Sequence, residues 1–186
     1  MEIALIVLAV LVLAVGYVIH LYNSLVRARQ LAEEGWSGID VQLKRRADLI
    51  PNLVNTLRGY VAHEKGTLEA VIAARNHALS VSGGDVAGRA AAEGALGQAL
   101  GKLFALAESY PDLKASENFL GLQTSLETLE REIQMARRYY NGAVRELNIL
   151  IETIPSSFVA ARFSFTQKTY FEIADAAERA LPEVSL

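Results

Sequence analysis

The chain has 186 residues, enough for one membrane segment and one globular domain of the usual ~100–150 residues. Its formal charge is −3 with both signs spread along the chain, which excludes the basic excess that neutralises a nucleic-acid backbone, so no nucleic acid is expected as a partner. Cysteine is absent, so disulfides, iron–sulfur ligation, thiolate zinc sites, cysteine nucleophiles and lipoprotein anchoring are excluded together.

The run from Ile3 to Ile19 departs from simple aliphatics only at Gly16 and Tyr17, and it reaches Leu21 if His20 sits at an interface. At about 1.5 Å per residue this run nearly matches a ~30 Å hydrocarbon core, which predicts a transmembrane helix. A cleavable leader would carry a basic start and a small-residue cleavage site. Here the start is Met1-Glu2 and no A-x-A site follows, so residues 1–22 are expected to be a single-pass anchor. Arg27 and Arg29 follow the span, whereas only the amino terminus precedes it. Basic residues are retained on the cytoplasmic side, which favours a cytoplasmic domain, with the opposite side of the membrane as the alternative.

Beyond the anchor the pattern is helical. Leu25, Ala28, Ala32, Trp36, Ile39 and Leu43 share a face of a first helix over 23–48. A second is expected over 51–80, opening at Pro51, because proline suits a first helical turn where its missing N–H is not needed. After the flexible Ser80–Asp85 connection a third runs over 86–110, and after Pro111 a fourth runs over 114–154. That last helix carries a heptad seam: Phe119, Leu122, Leu126, Leu129, Ile133, Ala136, Tyr140, Ala143, Leu147, Leu150 and Ile154 recur at spacings of three and four. Such a stripe must be covered by other helices to be stable in water. Short connections make neighbours antiparallel, so the expected fold is all-α, a transmembrane helix followed by an antiparallel up-and-down four-helix bundle over 23–155, with an aromatic tail over 156–186.

The third helix is weak in isolation, since Gly94, Gly97 and Gly101 each cost about 1 kcal/mol against alanine. Small residues either pack closely inside the bundle or present a flat face for self-association.

Several segments together are similar to the LemA family: Tyr22-Asn23-Ser24-Leu25-Val26; Arg45-Arg46-Ala47-Asp48-Leu49-Ile50-Pro51-Asn52-Leu53-Val54; Tyr110-Pro111-Asp112-Leu113-Lys114-Ala115 with Glu117-Asn118-Phe119-Leu120; and Arg137-Arg138-Tyr139-Tyr140-Asn141. The likeness covers nearly the whole chain in order. It departs at Thr153-Ile154-Pro155, where an aromatic before the proline is more usual, and at Leu186, where phenylalanine is common. The resemblance implies a bacterial membrane protein with an N-terminal anchor and a four-helix bundle. No catalytic residues are established for that family, and a magnetosome-membrane protein shares its domain. Family members are often encoded near membrane metalloproteases or other envelope proteins, which implies a scaffold or adaptor with envelope proteins as partners. The alternative is a structural protein that assembles into homo-oligomers.

An enzyme reading fails on the residues. His63-Glu64 would need a histidine four positions after His63 to make H-E-x-x-H, and Thr67 stands there. The three histidines, His20, His63 and His77, are scattered, and no Glu-x-x-His pair is present for a carboxylate-bridged metal site. Neither cofactor nor metal is expected. Lys44, Arg45 and Arg46 form a basic triplet; a straight helix from Tyr22 puts Arg46 about 36 Å beyond the membrane boundary, several times the ~8 Å screening length, so they are expected at a distal tip, bridging carboxylates such as Asp48 or Asp112 or docking an acidic partner. The better candidate surface is Phe158, Arg162, Phe163, Phe165, Lys168, Tyr170 and Phe171. Counting helix directions returns this stretch to the bilayer, where aromatics flanked by cations suit the headgroup region; otherwise it caps the open end of the bundle.

Overall fold

A computed structural model describes residues 1–61 and 64–172. Its elements are α1 (Glu2–Arg58), α2 (Lys65–Ser80), α3 (Val86–Ala107), α4 (Pro111–Lys114), α5 (Glu117–Glu152) and α6 (Ser156–Arg162), and no strand occurs among the described residues. The described residues divide into two compact units, Met1–Ser37 with Ala136–Tyr170, and Gly38–Met135 with Phe171 and Glu172.

The expected break at Pro51 does not occur. Helix α1 runs through the proline to Arg58, and the interruption falls instead at Gly59 and Tyr60, before α2 begins at Lys65. A proline inside a helix lacks the N–H that would bond the carbonyl four residues back, here Ala47. That orphaned oxygen accepts a hydrogen bond from Arg75 Nε on α2 at 2.7 Å, so a long-range side chain replaces the missing backbone donor. His63 lies outside the described residues, as do residues 173–186 of the tail.

In the second unit the core draws Ile50, Leu53 and Leu57 from α1, Leu68 and Val71 from α2, Leu96, Leu100 and Leu103 from α3, Leu113 from α4, and Phe119 and Leu126 from α5. Asp85 caps α3 by accepting from the Gly88 N–H at 2.8 Å. The three leucines of α3 contribute about 1.5–3 kcal/mol each on burial, which outweighs about 1 kcal/mol lost at each of its interior glycines. Tertiary packing therefore holds a helix that propensity alone would not. Pro111 opens the single-turn α4, so α5 starts at Glu117 and not at 114.

In the first unit, Leu25, Ala28 and Ala32 of α1, Tyr140, Val144 and Leu147 of α5, and Val159 and Ala160 of α6 are buried. The backbones of α1 and α5 approach closely at Gly35, where a Cβ would sit 3.0 Å from Tyr140 Cα. Trp36 tilts against Tyr140 with ring centroids 5.6 Å apart. Along the heptad seam Phe119, Leu126, Ile133, Tyr140 and Leu147, spaced by seven, are buried, Leu122, Leu129, Ala136, Ala143 and Leu150 are half-buried, and the last position, Ile154, is exposed.

Candidate functional site

The second unit holds a buried charged cluster. Arg46 on α1 is 3 % exposed, and Arg89 and Glu93 on α3 are 5 % and 1 %. Glu93 accepts from Arg46 Nη2 at 2.5 Å through Oε2 and from Arg89 Nε at 3.0 Å through Oε1. Outer carboxylates complete the set: Glu130 Oε2 on α5 lies 2.6 Å from Arg46 Nη1, and Asp40 Oδ1 lies 3.6 Å from Arg89 Nη2. Buried guanidinium groups require such partners because desolvating an uncompensated charge costs several kcal/mol. Both Glu93 oxygens are engaged by arginines, which commits this carboxylate to holding α1 against α3.

This arrangement corrects the expected distal basic tip. Helix α1 continues past the triplet to Arg58, Lys44 and Arg45 are exposed, and Arg46 turns inward to Glu93 and Glu130 instead of to Asp48 or Asp112. The helical period decides it, because Arg46 lies on the same face as Leu43 and Ile50, both fully buried.

Beside the cluster, between α3 and α5, runs a groove of about 600 Å³ lined by Arg46, Glu93, Gly94, Gly97, Gly101, Leu126 and Glu130 among others. The glycines create its width: a Cβ at Gly97 or Gly101 would meet nothing within 4 Å. Its lining includes no Ser, Thr, Cys, His, Lys or Tyr, and its carboxylates are Glu93, Glu127 and Glu130, of which Glu93 and Glu130 pair with Arg46. No group of three or more His, Cys, Asp or Glu that could hold a metal ion occurs among the described residues.

The aromatic segment is the second site. Helix α6 buries Ser156, Val159 and Ala160, leaving Phe158 70 % and Phe163 51 % exposed. It ends at Arg162, and just beyond the cap Ser164 has a φ of 57° in the left-handed region, with the Phe165 N–H bonded to Ala160 O at 3.0 Å. This helix-terminating motif reverses the chain. The segment that follows is fastened to α5: Asn148 donates to Lys168 O and accepts from the Lys168 N–H, both at 3.0 Å, Gln167 bonds Glu152 at 2.6 Å, and Tyr140 donates its hydroxyl to Thr169 O at 2.8 Å. Burial pushes the Tyr140 phenol above its usual value of 10.0.

The turn also meets α1 at Tyr22. Its ring lies 4.8 Å from that of Phe163 and 5.9 Å from that of Phe165. The Arg29 guanidinium stands 5.2 Å from the Phe165 centroid, and that of Arg162 stands 5.9 Å from the Phe163 centroid. Of the remaining predicted surface residues, Lys168 pairs with Glu33 at 3.4 Å, Tyr170 is exposed and Phe171 is fully buried. The partners Tyr22, Arg29, Asn148 and Tyr140 escaped sequence reading as site residues because they are far away in the chain.

From Glu2 to His20, α1 is exposed throughout, and none of its most apolar stretch is buried against protein. Among the described residues this is one helix long and apolar enough to cross a membrane. Among the described residues, fold and surface together define an all-helical protein with one candidate membrane-spanning helix near its N-terminus. The LemA family model matches residues 35–186, and the chain belongs to the LemA family. The chain is similar to "Magnetosome protein MamQ 1" of Paramagnetospirillum magneticum, at 26% identity over 81% of this chain and 64% of that protein. "Magnetosome protein MamQ" of Magnetospirillum gryphiswaldense is 25% identical with the same coverage. "Protein LemA" of Metamycoplasma hominis is 27% identical over 88% of this chain and 76% of its own length. The match thus spans 64% of the length of the magnetosome relatives.

Proposed function

We propose that this protein is a non-enzymatic, membrane-anchored helical scaffold in the bacterial envelope, acting through contacts with envelope proteins and with the bilayer. The observation that carries the reading is α1 itself. One helix begins as a bare apolar span at residues 3–21 and continues without interruption to Arg58, so residues that suit lipid and residues that form a packed core belong to one element. Beyond the span, the helices form an antiparallel up-and-down four-helix bundle, with the domain on the cytoplasmic side as Arg27 and Arg29 favour. The interior charges are paired with one another, which suits a rigid platform.

A second reading, self-assembly into homo-oligomers, is favoured by the glycine face of α3. Gly97 and Gly101 are exposed with no neighbouring atom where a Cβ would stand, which leaves the backbone open to close approach by a second copy. Cross-linking with mass spectrometry in native membranes separates the two readings. Recurrent links to the same foreign proteins support the scaffold; links between copies alone, passing through α3, replace it with the assembly. Turnover of a substrate by the purified full chain would overturn both.

A further inference from the structure

We infer that the α6 turn is a second, interfacial membrane contact, in which Phe158, Phe163 and Ile154 enter the headgroup–acyl boundary of the bilayer while Arg29 and Arg162 face lipid phosphates. The inference rests on the reading that the apolar part of α1 crosses that bilayer.

Depth is set by Tyr22. It is the first residue after the apolar run ending at Leu21, so in a spanning helix it lies at the boundary, where tyrosine is favoured. Phe163 touches it, with ring centroids 4.8 Å apart, and Phe165 follows at 5.9 Å. Both rings therefore share the level of the membrane surface. Phe165 is half-buried, but Phe163 and Phe158 keep most of their surface open, and Ile154 is 77 % exposed. Three large apolar side chains open to solvent within ten residues of chain are a feature that water does not favour and a lipid boundary does.

The local chemistry fits the same solvent. Phe158 and Arg162 stand four residues apart on the outer side of α6, opposite buried Val159 and Ala160, so the helix is apolar and cationic on its open face. Arg29 and Arg162 each lie within 6 Å of a ring in this cluster, the spacing at which aromatic faces hold guanidinium groups without consuming their hydrogen-bond donors. Those donors match lipid phosphate oxygens. The strap from Gln167 to Thr169, fastened by Asn148, Glu152 and Tyr140, fixes the turn at this level and keeps it from swinging free.

The chain lacks cysteine, so single cysteines can be placed in the full-length protein: Phe158→Cys, Phe163→Cys, Val10→Cys and Arg138→Cys. Arg138 is exposed on α5, roughly 21 Å back from its end at Glu152 at about 1.5 Å per residue. Each variant carries a nitrobenzoxadiazole label and is reconstituted into phosphatidylcholine–phosphatidylglycerol vesicles containing a lipid quencher near the glycerol backbone. Helical content by circular dichroism must match the parent, and Phe158→Cys, at a side chain 70 % exposed, loses little buried surface, so it serves where Phe163→Cys disturbs the contact with Tyr22. Quenching at 158 and 163 severalfold above that at 138 is the expected result. Quenching at 10 but not at 158 or 163 overturns the second contact while leaving the anchor intact. Absence of quenching at 10 as well overturns the anchor and the second contact together.

Discussion

Replacing Glu93 by glutamine tests the idea that the buried cluster holds α1, α3 and α5 in place. The substitution keeps volume but removes the carboxylate shared by Arg46 and Arg89. Arg46 would retain Glu130, 44 % exposed, and Arg89 would retain only Asp40 at 3.6 Å. Removing one partner of a buried ion pair costs about 3–5 kcal/mol, because the remaining charge stays desolvated. For a chain of this length each kcal/mol moves Tm by about 2–4 °C, so the expected fall is about 6–20 °C. Glu130→Gln removes a half-exposed partner and is expected to cost about 0.2–1 kcal/mol. The triple replacement Arg46→Met, Arg89→Met, Glu93→Leu removes the buried charges of this cluster at once and is expected to be neutral or stabilising, by about 1–4 kcal/mol. Thermal unfolding of the full chain in detergent micelles, followed by far-ultraviolet circular dichroism, reads all three. The reasoning is refuted if Glu93→Gln costs no more than Glu130→Gln, or if the triple variant is as unstable as the single one.

Arg75→Met leaves the Ala47 carbonyl without its donor and is expected to cost about 1–3 kcal/mol; in a Pro51→Ala background the backbone N–H supplies that bond, so the cost should nearly vanish. Equal costs in both backgrounds, measured by chemical denaturation, would show that Arg75 does not compensate for the proline. Gly97→Ala and Gly101→Ala point into open space and should each stabilise by about 0.5–1 kcal/mol, whereas Gly35→Ala meets Tyr140 Cα and should destabilise by about 1–3 kcal/mol. A loss of stability at Gly97 or Gly101 in thermal melts would mean that another backbone lies against that face. Tyr140 holds its proton more tightly when folded, so its contribution to stability is constant below about pH 10 and is lost as pH rises through the raised value. Tyr140→Phe should cost about 0.5–1.5 kcal/mol near neutrality by removing the bond to Thr169 and should flatten the decline above pH 10; an alkaline profile identical to the parent's would count against a buried phenol.

Much of this architecture is written in local periodicity. The aliphatic run at 3–19, the glycine-rich turn at 80–85, Pro111 and the heptad seam of α5 are each short-range signals, and the structure places helices where they predict, within a few residues at the ends. Helix existence depends on spacing and punctuation that a single strand of sequence displays. Which of the two seam positions faces inward is not displayed: Phe119, Leu126, Ile133, Tyr140 and Leu147 are buried and their partners only half so, because neighbouring helices choose the centre of the stripe.

What tertiary structure alone decided are the features that join residues far apart in the chain. Pro51 reads as a helix start by every local rule, yet α1 passes through it because Arg75, on another helix, takes the orphaned carbonyl. Arg46 reads as one of three surface cations, yet its rotation about α1 sets it opposite Glu93 and Glu130, and only the folded chain brings those carboxylates within reach. Tyr22 and Phe163 are ordinary aromatics in sequence and become a single aromatic cluster after the turn at Ser164. Local patterns determine which segments coil and which faces are apolar, because those depend on near neighbours; ion pairs, ring contacts and borrowed hydrogen bonds depend on distance in space, which the order of residues does not specify.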